Sequence, residues 1–182
     1  MEKEKMLNIF KIIIIVACVV LFIGLLLPYQ ASTEEYKEYL QENPDAMNVE
    51  EVNLTNKDAI NISMMENFKV YSYAMNNSEG NSWLAGEATI NFILIIVLIV
   101  STILTLIFTL FNKRILGLIF GLLILGSSLL MNYDIVDRGV IPSSQYTYGI
   151  AYYLYPIMAV VILVSVIILI VKNRKKPDNL KY

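Results

Sequence analysis

FILIIVLIVSTILTLIFTLF-NKR-ILGLIFGLLILGSSLLM, residues 92–131, is the stretch that decides the fold of this chain. It holds two apolar runs, 92–111 and 115–131, separated by a three-residue polar link at 112–114. Each run is close to the ~20 residues that a helix needs to cross ~30 Å of hydrocarbon. Because lipid offers no hydrogen-bond partners, the backbone must satisfy its own, which favours helices over open strands. We therefore predict two membrane spans joined by a short link.

Two further apolar runs flank this stretch, at 9–27 and 153–171, and 57% of the chain is hydrophobic. The first run is longer than the core of a cleaved signal, and the residues after it lack a small-residue cleavage site. A lipidated amino terminus at Cys18 is the alternative, but the run continues apolar beyond it. The sequence predicts an all-α membrane protein, a four-transmembrane-helix bundle with a small mixed α/β extracytoplasmic segment between helices 1 and 2.

Positive charge predicts the orientation of the spans, because cytoplasmic flanks retain Lys and Arg. The amino terminus (1–11), the link (112–114) and the tail (172–182) carry most of the 14 basic residues. We expect these three segments in the cytoplasm and residues 28–91 and 132–152 outside a plasma membrane. The tail residues Lys172, Arg174, Lys175 and Lys176 are candidates to bind lipid headgroups.

The outer segment 28–91 is acidic and rich in tyrosine. Ser32 and Glu35 have capping-box spacing, and they predict a helix that carries Tyr36 and Tyr39 and ends at Asn43. Residues 49–54 and 60–62, with turn-prone residues at 56–58, suggest a hairpin. Residues 64–75 fit either a helix or a strand, and we favour a helix at the membrane surface. We predict a loop at residues 76–82.

Small and hydroxyl residues form stripes along three spans. Gly117, Gly121 and Ser128 share a face of the third span, Thr102, Thr105 and Thr109 share one on the second, and Ala17 with Gly24 share one on the first. Such faces let helices approach closely. The stripes predict packing inside one bundle or, as the alternative, self-association.

The types of residue that are absent from the sequence disfavour several function classes. The centres of the spans carry no acidic residue, Arg or His, which disfavours ion-coupled transport. The chain has no His at all, so His-based catalysis is excluded, and we expect no enzyme activity, cofactor or metal. The outer carboxylates Asp134, Asp137, Glu66 and Glu87 are weak candidates for catalysis, and Asp137 beside Arg138 reads as a solvated pair.

The chain resembles two groups of proteins. Its layout is similar to the claudin tetraspan plan but lacks the claudin cysteine motif, since the one Cys lies in a span. Leu25-Leu26-Leu27-Pro28 after the first span, with Tyr148-Gly149-Ile150-Ala151-Tyr152-Tyr153-Leu154 before the fourth, resembles uncharacterised small four-transmembrane proteins of low-GC Gram-positive bacteria. Neither resemblance implies an activity.

Two main functions remain open on the sequence, besides an outer-face enzyme that would use Asp134 or Asp137. The first is a non-enzymatic interaction protein, such as an accessory subunit, an immunity factor or an envelope sensor, that recognises a protein partner or a second copy. Its partner surface would draw on the outer aromatic and charged residues Tyr36, Tyr39, Phe68, Tyr71, Trp83, Asp134, Asp137 and Arg138. The alternative is a homo-oligomeric pore lined by the threonine stripe of the second span.

Overall fold

The computed structural model describes residues 2–77 and 82–174, with side chains described for residues 6–77 and 86–172. Four long helices dominate it: α1 (Glu2–Gly24), α5 (Ser82–Leu110), α6 (Arg114–Asp137) and α7 (Ile150–Arg174). Each is long and apolar enough to cross a membrane. The predicted four-helix architecture is confirmed at this level.

The four helices close into a ring in which α1 and α6 each contact both α5 and α7. The interior is apolar, with Ile14, Leu98, Ile124 and Ile162 almost fully buried. Large apolar side chains also cover the outside of the ring on all four helices. Exposed apolar patches of this extent are rare on soluble monomers and suit an environment of lipid.

Helices α5, α6 and α7 extend beyond the predicted apolar runs, whereas α1 ends at Gly24, before the predicted end at residue 27. Helix α5 begins at Ser82 rather than near residue 92, and α6 continues past residue 131 to Asp137. The extension of α6 has a physical cause: Met131, Asn132 and Ile135 are buried against other parts of the chain, so the helix keeps its packing after the apolar run ends.

A three-stranded antiparallel sheet lies at the end of the bundle where α1 ends and α7 begins. It consists of β1 (Pro28–Ser32), β4 (Asn61–Ser63) and β5 (Tyr146–Tyr148), in the order β4-β1-β5. Gln30 pairs with Ile62 on one side and with Tyr148 on the other. The sheet thus joins the segment between α1 and α5 to the segment between α6 and α7. We call residues 28–77 and 138–149 together the cap.

The predicted first helix of the cap is present as α2 (Glu34–Glu42), but its cap residue is Thr33 and not Ser32. Ser32 belongs to β1, where it pairs with Tyr146. The Thr33 hydroxyl accepts a hydrogen bond from the Tyr36 amide and donates one to the Ser144 carbonyl. Sheet pairing therefore moves the start of the helix by one residue.

The predicted hairpin between residues 49–54 and 60–62 is wrong. Strand β2 (Met47–Val49) pairs instead with β3 (Leu54–Thr55), and β4 pairs with β1. Residues predicted to turn the hairpin form the short helix α3 (Asn56–Ala59). Thr55 and Asp58 cap that helix reciprocally, and these bonds to Thr55 lower the pKa of the Asp58 carboxyl. The capping box thus makes residues 56–59 a short helix where the sequence pattern predicts the turn of a hairpin.

Residues 64–75 are helical, as favoured, within α4 (Met64–Asn77). Ser63 and Glu66 form a reciprocal capping box at the start of α4, so the Glu66 carboxylate caps this helix. The predicted loop at 76–82 is wrong at both ends, because Asn76 and Asn77 complete α4 and Ser82 begins α5. Residues 78–81 lie outside the described part of the chain.

Candidate interaction surface

Asn132 connects three parts of the molecule at the junction between the cap and the bundle. Its side-chain amide donates to the Tyr152 carbonyl at 3.0 Å, and its carbonyl accepts from the Tyr29 hydroxyl at 2.6 Å. Pro156 lies inside α7, and a proline has no N–H to bond the carbonyl four residues earlier. That carbonyl belongs to Tyr152. Asn132 therefore replaces the helix bond that Pro156 removes.

Tyr29 and Gly149 fix β1 against the start of α7. Tyr29 is 2% exposed, and burial raises the pKa of its hydroxyl well above the usual range. The Gly149 amide donates to the Tyr29 carbonyl at 3.1 Å. A Cβ on Gly149 would meet the Pro28 carbonyl oxygen, so only glycine allows this approach. The two motifs that carry the resemblance to small four-span proteins thus touch each other.

Arg138 joins the last turn of α6 to α4 and α5. Its guanidinium contacts Asp134 at 2.6 Å, donates to the Tyr71 hydroxyl at 3.1 Å and lies 4.0 Å from Glu87. Asn91 donates to the same Asp134 carboxylate at 2.8 Å. The predicted solvated pair of Arg138 with Asp137 is wrong, because helical spacing places Asp134, four residues earlier, beside Arg138. Asp137 is exposed.

The surroundings of Arg138 change the acidity of two groups. Burial raises the pKa of Tyr71, although Arg138 acts against that rise. Burial alone would lower the pKa of Arg138, but Tyr71 and Asp134 raise it overall. The cluster therefore keeps a charged guanidinium and a neutral phenol. Its arrangement suits a structural clamp between α4, α5 and α6.

Four of the predicted partner residues lie at the junction of the cap with the bundle: Asp134 and Arg138, described above, and Phe68 and Tyr71. Phe68 is partly buried, and its ring stacks on that of Phe92 with centroids 4.7 Å apart. Tyr71 lies under Arg138, as described above. An open groove of about 350 Å³ runs beside them, with Tyr73, Ala74 and Glu87 among its lining residues.

Tyr36 and Tyr39 lie away from the bundle, on α2. Tyr36 packs edge-on against Tyr146, while Tyr39 stacks on Tyr36 and is 63% exposed. They border a second open groove, of about 550 Å³, whose other lining residues are uncharged: Asn43, Ala46, Met47, Asn48, Asn56 and Gln145. The glutamates of the same helix (Glu34, Glu35, Glu38 and Glu42) are exposed. We call α2 and this groove the tip surface.

The predicted small-residue stripes face the interior of the single chain. Thr102, Thr105 and Thr109 are buried, and the Thr102 hydroxyl donates to the Leu98 carbonyl of its own helix. A Cβ on Gly121 would lie 3.0 Å from Leu163 of α7. The remaining stripe residues are also buried: Ala17, Gly24, Gly117 and Ser128. The stripes thus occupy helix contacts within one bundle.

Some predicted residues cannot be placed. The side chains of Trp83 and Arg174 are not described, and Lys175 and Lys176 lie outside the described residues. Lys172 is described, and its ammonium contacts the Met6 sulfur. Among the described residues, no group of three His, Cys, Asp or Glu side chains could hold a metal ion.

The sequence predictions did not include Asn132, Asn91, Tyr29 or Gly149 among the site residues. Two features of the sequence could have identified Asn132. It directly follows the apolar run 115–131, and the next span carries Pro156, which leaves one helix carbonyl without its hydrogen bond. Comparison of the chain with protein-family models, with curated proteins and with solved structures found no match.

Proposed function

We propose that the chain is a multi-pass plasma-membrane protein with both termini in the cytoplasm and the cap on the outer face. The distribution of positive charge supports this orientation. Lys11 and Lys113 line one cleft at the end of the bundle opposite the cap, whereas exposed glutamates cover α2. The proposal extends to function: a non-enzymatic interaction protein whose tip surface binds a protein partner.

One observation carries the functional proposal. The junction of the cap with the bundle is held by buried and partly buried polar contacts, while the tip surface keeps an exposed tyrosine, an uncharged groove and a row of carboxylates. Exposed tyrosine is enriched at binding interfaces because it offers a large rigid surface and a hydroxyl. Carboxylates around such a centre steer a basic partner to it. The partner that fits best is an outer or membrane protein with basic side chains.

The orientation is tested with single cysteines at two exposed positions. Cysteine at Asn48, on the cap, should react with an impermeant maleimide in intact cells. Cysteine at Asn112, in the link, should react only after lysis. The native Cys18 is fully buried and should remain silent. The reverse pattern of labelling would overturn the orientation and the function with it.

The partner is tested by photo-crosslinking in native membranes. A photoreactive residue at Tyr39 should capture a different protein, and the adduct should weaken when Glu38 and Glu42 are replaced by Lys. A photoreactive residue at Tyr73, also exposed but on the other groove, is the matched control. Equal capture at both positions, or an adduct that survives charge reversal, would contradict recognition by the tip surface.

A further inference from the structure

The open groove beside Tyr71 has the composition of a site for an amphipathic molecule. Its volume is about 350 Å³, within the range of small-molecule sites. Val70 and Ala74 of α4 and Ala88 of α5 contribute apolar wall, while Glu87 and Arg138 contribute charge. Apolar walls with a few charged groups bind the hydrocarbon part of a ligand and fix the orientation of its polar part.

The carboxylate of Glu87 lines this groove and is only weakly paired. The Glu87 side chain is 20% exposed, and its Oε2 lies 4.0 Å from Arg138 Nε, too far for a hydrogen bond. Arg138 makes its closer contact with Asp134, at 2.6 Å. A carboxylate that is largely removed from water is stabilised by a cation or a hydrogen-bond donor. An ammonium group in the groove would supply both.

Arg138 offers the groove a donor of the opposite charge. Its contacts with Asp134 and Tyr71 use Nε and Nη2. Within the described part of the chain these contacts leave Nη1 for a ligand, and a guanidinium matches the geometry of phosphate oxygens. The groove therefore combines a carboxylate that suits an ammonium with a guanidinium that suits a phosphate. A phosphoethanolamine headgroup carries both of these charges.

An apolar face of α5 leads from Glu87 toward the middle of that helix. Glu87 is the second residue of the stretch Gly86–Leu110, which is long and apolar enough to cross a membrane. Residues three or four apart on a helix are neighbours, so Ile90 lies next to Glu87 and Ile93 follows Ile90. These two isoleucines are 58% and 51% exposed. The acyl chain of a lipid bound in the groove would cover them, whereas a free amine would not.

We propose that the groove binds phosphatidylethanolamine, with the ammonium on Glu87, the phosphate on Arg138 and an acyl chain along Ile90 and Ile93. Phosphatidylglycerol lacks the ammonium, and phosphatidylcholine carries a trimethylammonium that has no N–H to donate. The site requires the helices to span a membrane, but it does not depend on a partner at the tip surface.

The test is native mass spectrometry of the full-length protein in detergent with an equimolar mixture of these three lipids. Wild-type protein should retain phosphatidylethanolamine in preference to the other two. Glu87→Gln should lower that retention by about tenfold, the worth of a hydrogen bond to a charged group. Ala74→Phe fills the groove without changing a charge and should lower retention as well. Unreactive Cys18, which is buried, confirms that each variant is folded.

The matched control is Asp137→Asn, which removes an exposed carboxylate beside Arg138 and should leave retention unchanged. Equal retention of the three lipids, or an equal loss in Asp137→Asn and Glu87→Gln, would overturn the site. Phosphoethanolamine at millimolar concentration, the soluble headgroup alone, should not displace the lipid. Displacement would show that the groove takes a free amine and would overturn the lipid assignment.

Discussion

Replacing Asn132 with Leu should destabilise the protein because the change leaves two groups without partners. The Tyr152 carbonyl and the Tyr29 hydroxyl both bond this side chain, and the tyrosine is buried. A buried polar group left unpaired costs about 1–3 kcal/mol, so two such groups set a range of about 2–6 kcal/mol. Hydrogen bonds within membrane bundles average about 0.6 kcal/mol, which places the expected loss near the lower end, at about 2 kcal/mol.

Reactivity of the Cys18 thiol measures the thermal stability of the bundle. Cys18 is the one cysteine of the chain and is 0% exposed. A fluorogenic maleimide therefore reacts with it only when the bundle opens on heating in detergent. At about 2–4 °C per kcal/mol for a chain of this size, Asn132→Leu should lower the midpoint by about 4–8 °C. Tyr133→Leu, an exposed neighbour on the same helix, is the control and should shift it little.

A double-mutant cycle tests the role assigned to Pro156. Pro156→Ala restores an N–H that can bond the Tyr152 carbonyl within the helix. Asn132→Leu should then cost less in the Pro156→Ala background, by about 1 kcal/mol, because only the tyrosine hydroxyl remains unpaired. An equal cost in both backgrounds would refute the reasoning that Asn132 replaces the helix bond removed by the proline.

Two further substitutions probe the cap. Gly149→Ala should lower the same melting midpoint by several degrees, because a Cβ would clash with the Pro28 carbonyl oxygen and force β1 away from α7. The control is Gly126→Ala, where a Cβ meets nothing within 4 Å, and it should leave the midpoint unchanged or raise it. A fall of equal size in both variants would contradict that explanation. Thr55→Val removes the capping box with Asp58 and should speed amide hydrogen exchange across residues 54–59 while α2 keeps its protection. Unchanged exchange in α3 would show that packing, not capping, holds this helix.

The sequence predicts the four helices well because length and hydropathy are properties of each segment by itself. It predicts pairing poorly because pairing depends on residues far apart in the chain. The hairpin shows this: the alternation at 60–62 does mark a strand, but its partner is β1, some thirty residues earlier, and not the nearest apolar run. The Ser32 cap fails for the same reason, since β5 holds that residue in the sheet.

Polar residues at the ends of the spans have partners that the sequence does not predict. From the sequence, Asn132, Asp134 and Arg138 belong to a short loop that returns to the membrane. In the structure they lie on or next to the extended α6, where they hold Tyr29, Asn91 and Tyr71. Nothing in their spacing predicts those partners. Helical periodicity does predict that Asp134 and Arg138 share a face.

Hydrogen bonds at the junction of the cap with the bundle offer a route by which a partner bound at the tip surface could affect the helices. Strand β1 connects α1 directly to the cap, and its Tyr29 bonds Asn132 of α6 beside the start of α7. Tyr29 is therefore one of the groups that connect the cap to the bundle, and it reaches three of the four helices. In Tyr29→Phe protein, which lacks that bond, binding at Tyr39 should persist while its effect on the thermal midpoint shrinks. A partner that stabilises wild-type and Tyr29→Phe protein equally would show that the cap binds without engaging the bundle.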